Sequence, residues 1–208
     1  MADKTDFRKE LDSYRAKAGE FRLLEEPDLR YLMVDGHGDP NTSIEYAAAL
    51  ESLFPLAYGL KFASKRELGR DYAVPPLEGL WWSEDMDAFT SRRDKSHWDW
   101  TMMLMVPDWI DEPTYARVVQ TVADKSHPPR LGDIRLETLS EGRCVQTLHL
   151  GSYDAEADTL ARLHHEYIPQ HGLIMTGRHH EIYLSDPRRT APEKLRTILR
   201  QPVAERTH

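Results

Sequence analysis

Thr176-Gly177-Arg178-His179-His180-Glu181-Ile182-Tyr183-Leu184-Ser185-Asp186-Pro187 is the stretch from which the fold is read. Taken with a period of two, Ile182 and Leu184 point to one face of a strand, and Glu181 and Tyr183 to the other. The first face is apolar enough to pack on helices. The second sets a carboxylate beside a phenol, with His179 and His180 just before them. Asp186-Pro187 ends the strand, because proline lacks the ladder donor and restricts the residue before it. Thr190-Ala191-Pro192-Glu193 then reads as a capping box, which predicts a closing helix with Leu195, Ile198 and Leu199 on its apolar face. A strand with one acid on its second face, locked by a capped helix, makes a floor for a binding site. An ordinary half-wet strand with a solvated glutamate has the same pattern.

The rest of the chain sets bounds on that site. Its 208 residues are 40% hydrophobic and 30% charged, the balance of a folded chain with a sizeable core. A net charge of −8 argues against nucleic acid as a partner, since a binder of phosphates needs a basic face. No apolar run approaches the roughly 20 residues that span a bilayer, so no membrane is expected. Met1 to Asp6 lacks the apolar core of a signal peptide. The single cysteine, Cys144, excludes an internal disulfide and suits a reducing compartment, so a cytoplasmic location is expected.

Along the chain, Phe7, Leu11 and Tyr14 predict a short docking helix over residues 5–17. Extended segments follow at Phe21–Glu25 and Tyr31–Val34, with Gly36-His37-Gly38-Asp39-Pro40-Asn41 as turn chemistry after them. Thr42-Ser43-Ile44-Glu45 caps a helix to about Gly59, through Ala47, Leu50, Leu53, Phe54 and Ala57. Strands are predicted at Leu77–Trp82 and His97–Val106, joined by a charged, exposed connection from Ser83 to Ser96. Asp111-Glu112-Pro113 opens a second helix that Pro128-Pro129 closes. Ile134–Leu139 and Arg143–Leu150 read as a hairpin turning at Ser140-Glu141-Gly142. Asp154 starts a third helix that ends before Gly172, and the tail from Ala204 to His208 reads as frayed.

Loop, capped helix and acid-bearing strand thus occur twice, and superposing the two halves sets Glu78 on Glu181 and Leu80 on Tyr183. The expected fold class is α+β: one domain over residues 1–208, with strand–helix–strand–strand halves at about 20–125 and 130–203 related by a pseudo-twofold axis. Antiparallel sheets would carry helices on one side and a central groove on the other. On that scheme Trp82 follows Glu78 to the groove and Trp81 faces the helices.

Three segments resemble the stand-alone GyrI-like small-molecule-binding proteins: Tyr31 to Asn41, Trp98-Asp99-Trp100-Thr101-Met102-Met103, and above all His180 to Pro187 continued through Pro192 to Val203. The resemblance runs from about Asp6 to Val203. It implies two fused strand–helix–strand–strand modules and a groove lined by aromatics and a glutamate. In the related multidrug-sensing regulators such a groove takes flat, often cationic drugs, and some stand-alone members hydrolyse electrophilic cyclopropanes. By that likeness Glu181 is the groove acid. Only the 30 residues from Met1 to Arg30 precede Tyr31, too few for the helix-turn-helix unit of the regulators.

The residues themselves make Glu181 and Tyr183 the catalytic candidates, and Trp82, Trp98, Trp100, Glu78, Tyr72 and His179 the ligand-binding ones. Trp98 and Trp100 share a strand face, where core packing is the competing explanation. A carboxylate among such rings serves either as counter-charge to a cation or as general base on water. The expected partner is a planar hydrophobic or cationic small molecule, held as a substrate by a hydrolase or sequestered by a binding module. No cofactor is expected. No metal is expected either: His164-His165 and His179-His180 are adjacent pairs, which do not converge on one ion from a helix or a strand. Cys144, in mid-strand, reads as a small buried hydrophobe.

Overall fold

The computed structural model describes residues 4–83 and 95–206. Most of the connection expected from Ser83 to Ser96, the first three residues and the last two of the tail lie outside the described residues. No helix among those described is long and apolar enough to cross a membrane.

The fold is α+β, built on an antiparallel nine-stranded sheet. In chain order come β1 (Arg22–Glu26), β2 (Leu29–His37), helix α1 (Ile44–Glu67), β3 (Leu77–Trp82), β4 (Asp99–Val106), helix α2 (Glu112–Ser126), β5 (Arg135–Leu139) and β6 (Gly142–Leu150). A helical stretch over residues 153–170, here α3, precedes β7 (Leu173–Met175), β8 (His179–Tyr183) and β9 (Arg196–Glu205). The helices begin where the caps predict: Ser43 accepts from the Tyr46 amide, and Asp111 from that of Thr114. Helix α1 runs past Gly59 because its apolar stripe continues through Leu60 to Ala63. The docking helix is broken instead: one turn at Phe7–Glu10, an extended Leu11, then a 3-10 turn at Asp12–Tyr14.

The strand order is β1-β6-β9-β8-β3-β4-β2-β5, with β7 extending along β9. Flat, it would hold β1 and β2 six strand spacings apart, roughly 29 Å, whereas the three peptide steps from Glu26 to Leu29 reach at most about 11 Å. The sheet therefore curls until its ends approach, with an inner and an outer face. This also replaces the expected hairpin. β5 pairs with β2, and β6 with β1 and β9, because Glu141 in the link between β5 and β6 is drawn inward to His180 and Arg200.

The expected closing helix is likewise a strand. Pro192–Lys194 makes one 3-10 turn, and β9 then carries Thr197, Ile198 and Leu199 between β6 and β8, with Val203 against β7. Ile198 packs inward with Ile182 and Tyr14, while Leu199 pairs with Glu181. Two buried faces made a period of two look like a helical stripe. Ala204 and Glu205 pair with β7 rather than fraying.

Candidate functional site

On the outer face α1 covers β2 and β4 and α2 packs on α1, while α3 helps line a groove of about 960 Å³ over β3 and β8. Helices and groove thus occupy the same side of the sheet, not opposite sides. From α1 the row Tyr46, Leu50, Phe54 and Tyr58, spaced by four, forms one wall. The strands contribute Trp81, Glu181 and Tyr183, and α3 adds Tyr153 and Glu156.

Register explains who faces whom. Paired residues of antiparallel strands share a face, and Gly79 pairs with Glu181, Trp81 with His179 and Leu77 with Tyr183. A hydrogen-bonded chain follows: Trp81 Nε1 donates to the Tyr183 hydroxyl at 2.9 Å, which donates to Glu181 Oε2 at 2.8 Å. Glu181 is 8% exposed, and its other oxygen lies 3.6 Å from His179 Nε2. The ring of His164, from a π-helical turn of α3, stands edge-on to His179 at 5.7 Å between centroids. Burial holds His164 down at about 3, with His179 and His165 beside it adding to the effect.

The aromatic walls interlock. Trp81 meets Trp98 edge-on at 5.7 Å and stacks on Tyr46 at 6.4 Å, and Tyr153 meets Tyr183 edge-on at 5.7 Å. Burial and the Glu181 carboxylate push the Tyr183 phenol well above its usual range. Burial, then Glu156 and Glu181, raise Tyr153 to about 12. These phenols are hydrogen-bond donors at neutral pH, set around carboxylates in a poorly hydrated cleft.

A fold of this shape, with a groove of this make-up, has relatives. The sequence matches the GyrI-like small molecule binding domain over residues 19–204. The chain belongs to the GyrI-like family. Among solved structures, an uncharacterized conserved protein from Listeria innocua is 38% identical, with a TM-score of 0.87 over 97% of this chain and 100% of that one. A hydrolase from Listeria innocua is 37% identical, with a TM-score of 0.86 over the same shares. The C-terminal domain of EcmrR, 13% identical over 89% of this chain and 98% of its own, shares the fold with a TM-score of 0.56. No curated protein matches the sequence.

In this GyrI-like domain, Glu181, Tyr183 and Trp98 meet in the groove, and the five other sequence candidates lie outside it. Glu78 and Trp82 point to the inner face, because Glu78 pairs with Ile182 and the alternation carries Trp82 with it. The superposition of Glu78 on Glu181 is therefore one residue out of phase. Trp82 lies under the Arg178 guanidinium, 3.5 Å from the ring centre. Trp100 is buried beneath α1, edge-on to Tyr46 and against Gly36, where an added Cβ would stand 2.0 Å from the ring. Tyr72 packs on Phe7 and Trp109. His179 sits behind Glu181, 3% exposed, rather than among the lining residues.

Glu78 belongs to a buried charge network inside the curled sheet. It accepts from Tyr14 at 2.5 Å and from Tyr31 at 3.2 Å, and lies 2.9 Å from His180 Nε2. His180 Nδ1 meets Glu141 at 2.8 Å, and Arg200 lies 3.3 Å from both Glu141 and Glu26. Burial alone would depress His180, but Glu141 and Glu78 lift it to about 9. Glu141 is held at about 2 by the cations His180 and Arg200 against the opposing effect of burial.

Sequence reading missed Tyr46, Tyr153 and Glu156 in the groove. The spacing of Tyr46, Leu50, Phe54 and Tyr58 was a usable signal for the α1 wall. For Glu156, 2% exposed in a 3-10 turn, local pattern carried none.

Proposed function

We propose that this protein captures flat, hydrophobic aromatic molecules in the groove and hydrolyses those bearing an electrophilic strained ring, such as a cyclopropane. The observation behind this reading is the Glu181 carboxylate, held through Oε2 by Tyr183 inside an aromatic-walled cleft. Rings such as Trp81, Trp98 and Tyr46 suit a planar ligand, each aromatic pair adding about 0.5–1.5 kcal/mol beyond area burial. Glu181 then takes a proton from a water whose oxygen attacks a ring carbon. The carbon–carbon bond of the small ring breaks, and its electron pair moves into the conjugated electron-withdrawing group. The proton returns to that anion, so one water is added in net. Two similar structures, 35% and 37% identical, are named hydrolases, which favours chemistry over capture alone.

A second reading is sequestration without turnover. Glu156 favours it, because a second carboxylate in the groove suits a cationic ligand whether or not water is activated. Mixing the protein with a several-fold excess of an electrophilic cyclopropane separates the two. A hydrolase consumes the excess; a binder gives tryptophan quenching that saturates at one equivalent, with the substrate recovered intact. The single buried Cys144 suits a reducing cytoplasm for either role.

A further inference from the structure

Pro55 lies inside α1, which continues beyond it to Glu67. A proline carries no N–H, so the helical bond that would close from residue 55 onto the Glu51 carbonyl cannot form. A helix carbonyl points along the axis toward the residues three and four positions on. Here those are Phe54 and Pro55, and both line the groove together with Glu51 and Tyr58. The freed oxygen therefore opens on the groove wall rather than on the core. The hydroxyl of Ser52, next along the helix, donates to the Ala48 carbonyl at 2.8 Å and accepts from the Arg130 amide at 2.9 Å. The cations along the groove rim are paired as well: Lys95 with Asp154, Arg8 with Asp6 and Arg188 with Asp186.

We infer that the Glu51 carbonyl is an acceptor subsite, and that the groove selects aromatic ligands whose edge carries an N–H or O–H donor. This rests on the groove being the ligand site. A planar ring lying against Phe54 and Tyr58 brings its edge substituents to the height of that carbonyl. A primary amine, phenol or indole N–H supplies the missing bond, whereas an alkylated nitrogen leaves the oxygen desolvated and unpaired.

Two dyes on one ring frame test it: thionine, with free amino groups, and methylene blue, with the same nitrogens dimethylated. Both are planar and singly cationic. Dissociation constants are measured for the unaltered protein, Pro55→Ala and Glu51→Gln. Pro55→Ala restores the helical N–H and closes the acceptor, so the preference for thionine over methylene blue is expected to fall about five-fold. Its melting temperature should rise at the same time, because proline is a poor interior helix residue. Glu51→Gln keeps the backbone carbonyl and should keep the preference, even where it weakens both dyes. An unchanged preference in Pro55→Ala overturns the inference, as does an equal fall in Glu51→Gln, which would assign the donor's partner to the side chain. Saturable binding of neither dye overturns the groove reading itself, and this inference with it.

Discussion

Glu78 and Glu181 stand on neighbouring strands yet face opposite sides of the sheet, Glu78 paired with Ile182 and Glu181 with Gly79. The same residue type thus serves two different surroundings. Glu181 looks outward into a groove of rings and phenols. Glu78 looks inward, where two tyrosines and a histidine use both of its oxygens.

That division predicts opposite phenotypes for one conservative change. Glu181→Gln keeps the shape and removes the base, so turnover of a strained-ring substrate should drop about 10²–10⁴-fold. Its melting temperature should stay near that of the unaltered protein. Glu78→Gln should leave dye affinity intact and destabilise the fold by about 3 kcal/mol, since it removes one of the two carboxylates that face the buried His180 cation. Paired kinetic and denaturation measurements decide. Full turnover in Glu181→Gln removes the carboxylate from the chemistry.

The tryptophans divide in the same way. Trp98→Ala and Trp81→Ala should each weaken a planar dye by about 0.5–1.5 kcal/mol, the range for one lost aromatic contact. Trp82→Ala should not weaken it, because that ring lies on the inner face under Arg178. Fluorescence titration of the three variants tests the assignment, and a weaker Trp82→Ala would put the ligand on the wrong side of the sheet.

How far the sequence carried is visible in particular residues. The alternation of Glu181, Ile182 and Tyr183 was read correctly, because a strand with one outer and one inner face writes a period of two into the chain. The caps at Ser43 and Asp111 were legible because they are local chemistry. Leu195, Ile198 and Leu199 misled because β9 is covered on both faces, so adjacent apolar residues imitate a helix. Glu141 misled for a different reason. A charged residue beside glycine reads as a turn, and its burial depends on Arg200 and His180, distant in the chain and brought close only by the curl of the sheet. The faces of Trp81 and Trp82 went astray through one residue of register between the halves, which reverses every side chain on a strand.

Gly36 gives a stability test independent of any ligand. Its Cα pairs with Trp100, and an added Cβ would stand 2.0 Å from that ring, which packs beneath Tyr46. Gly36→Ala should therefore cost about 1–3 kcal/mol through forced repacking. Denaturant titration measures it. A cost near zero would mean that the Trp100 ring is free to shift.

The inner network sets the dependence of stability on pH. His180 titrates at about 9 in the fold against an ordinary value of 6.5, because Glu141 and Glu78 favour its cation more than burial opposes it. A group raised on folding stabilises fully below its unfolded value, and that part is lost as pH climbs from about 6.5 through 9. Glu141, lowered to about 2, contributes above roughly 4.5 and loses its share as pH falls toward 2. His164, held at about 3, also opposes acid: the unfolded chain binds its proton first, so stability declines as pH falls below 6.5. The melting temperature should thus peak near pH 6.5 and fall on both sides, by different groups. His180→Gln should flatten the alkaline slope between pH 7 and 9 while lowering the peak. His164→Gln should flatten the fall from pH 6 to 4 and leave the alkaline slope as it was. Melting curves across this range for the three proteins decide it, and an alkaline slope untouched by His180→Gln would mean that the imidazole is neutral inside the sheet.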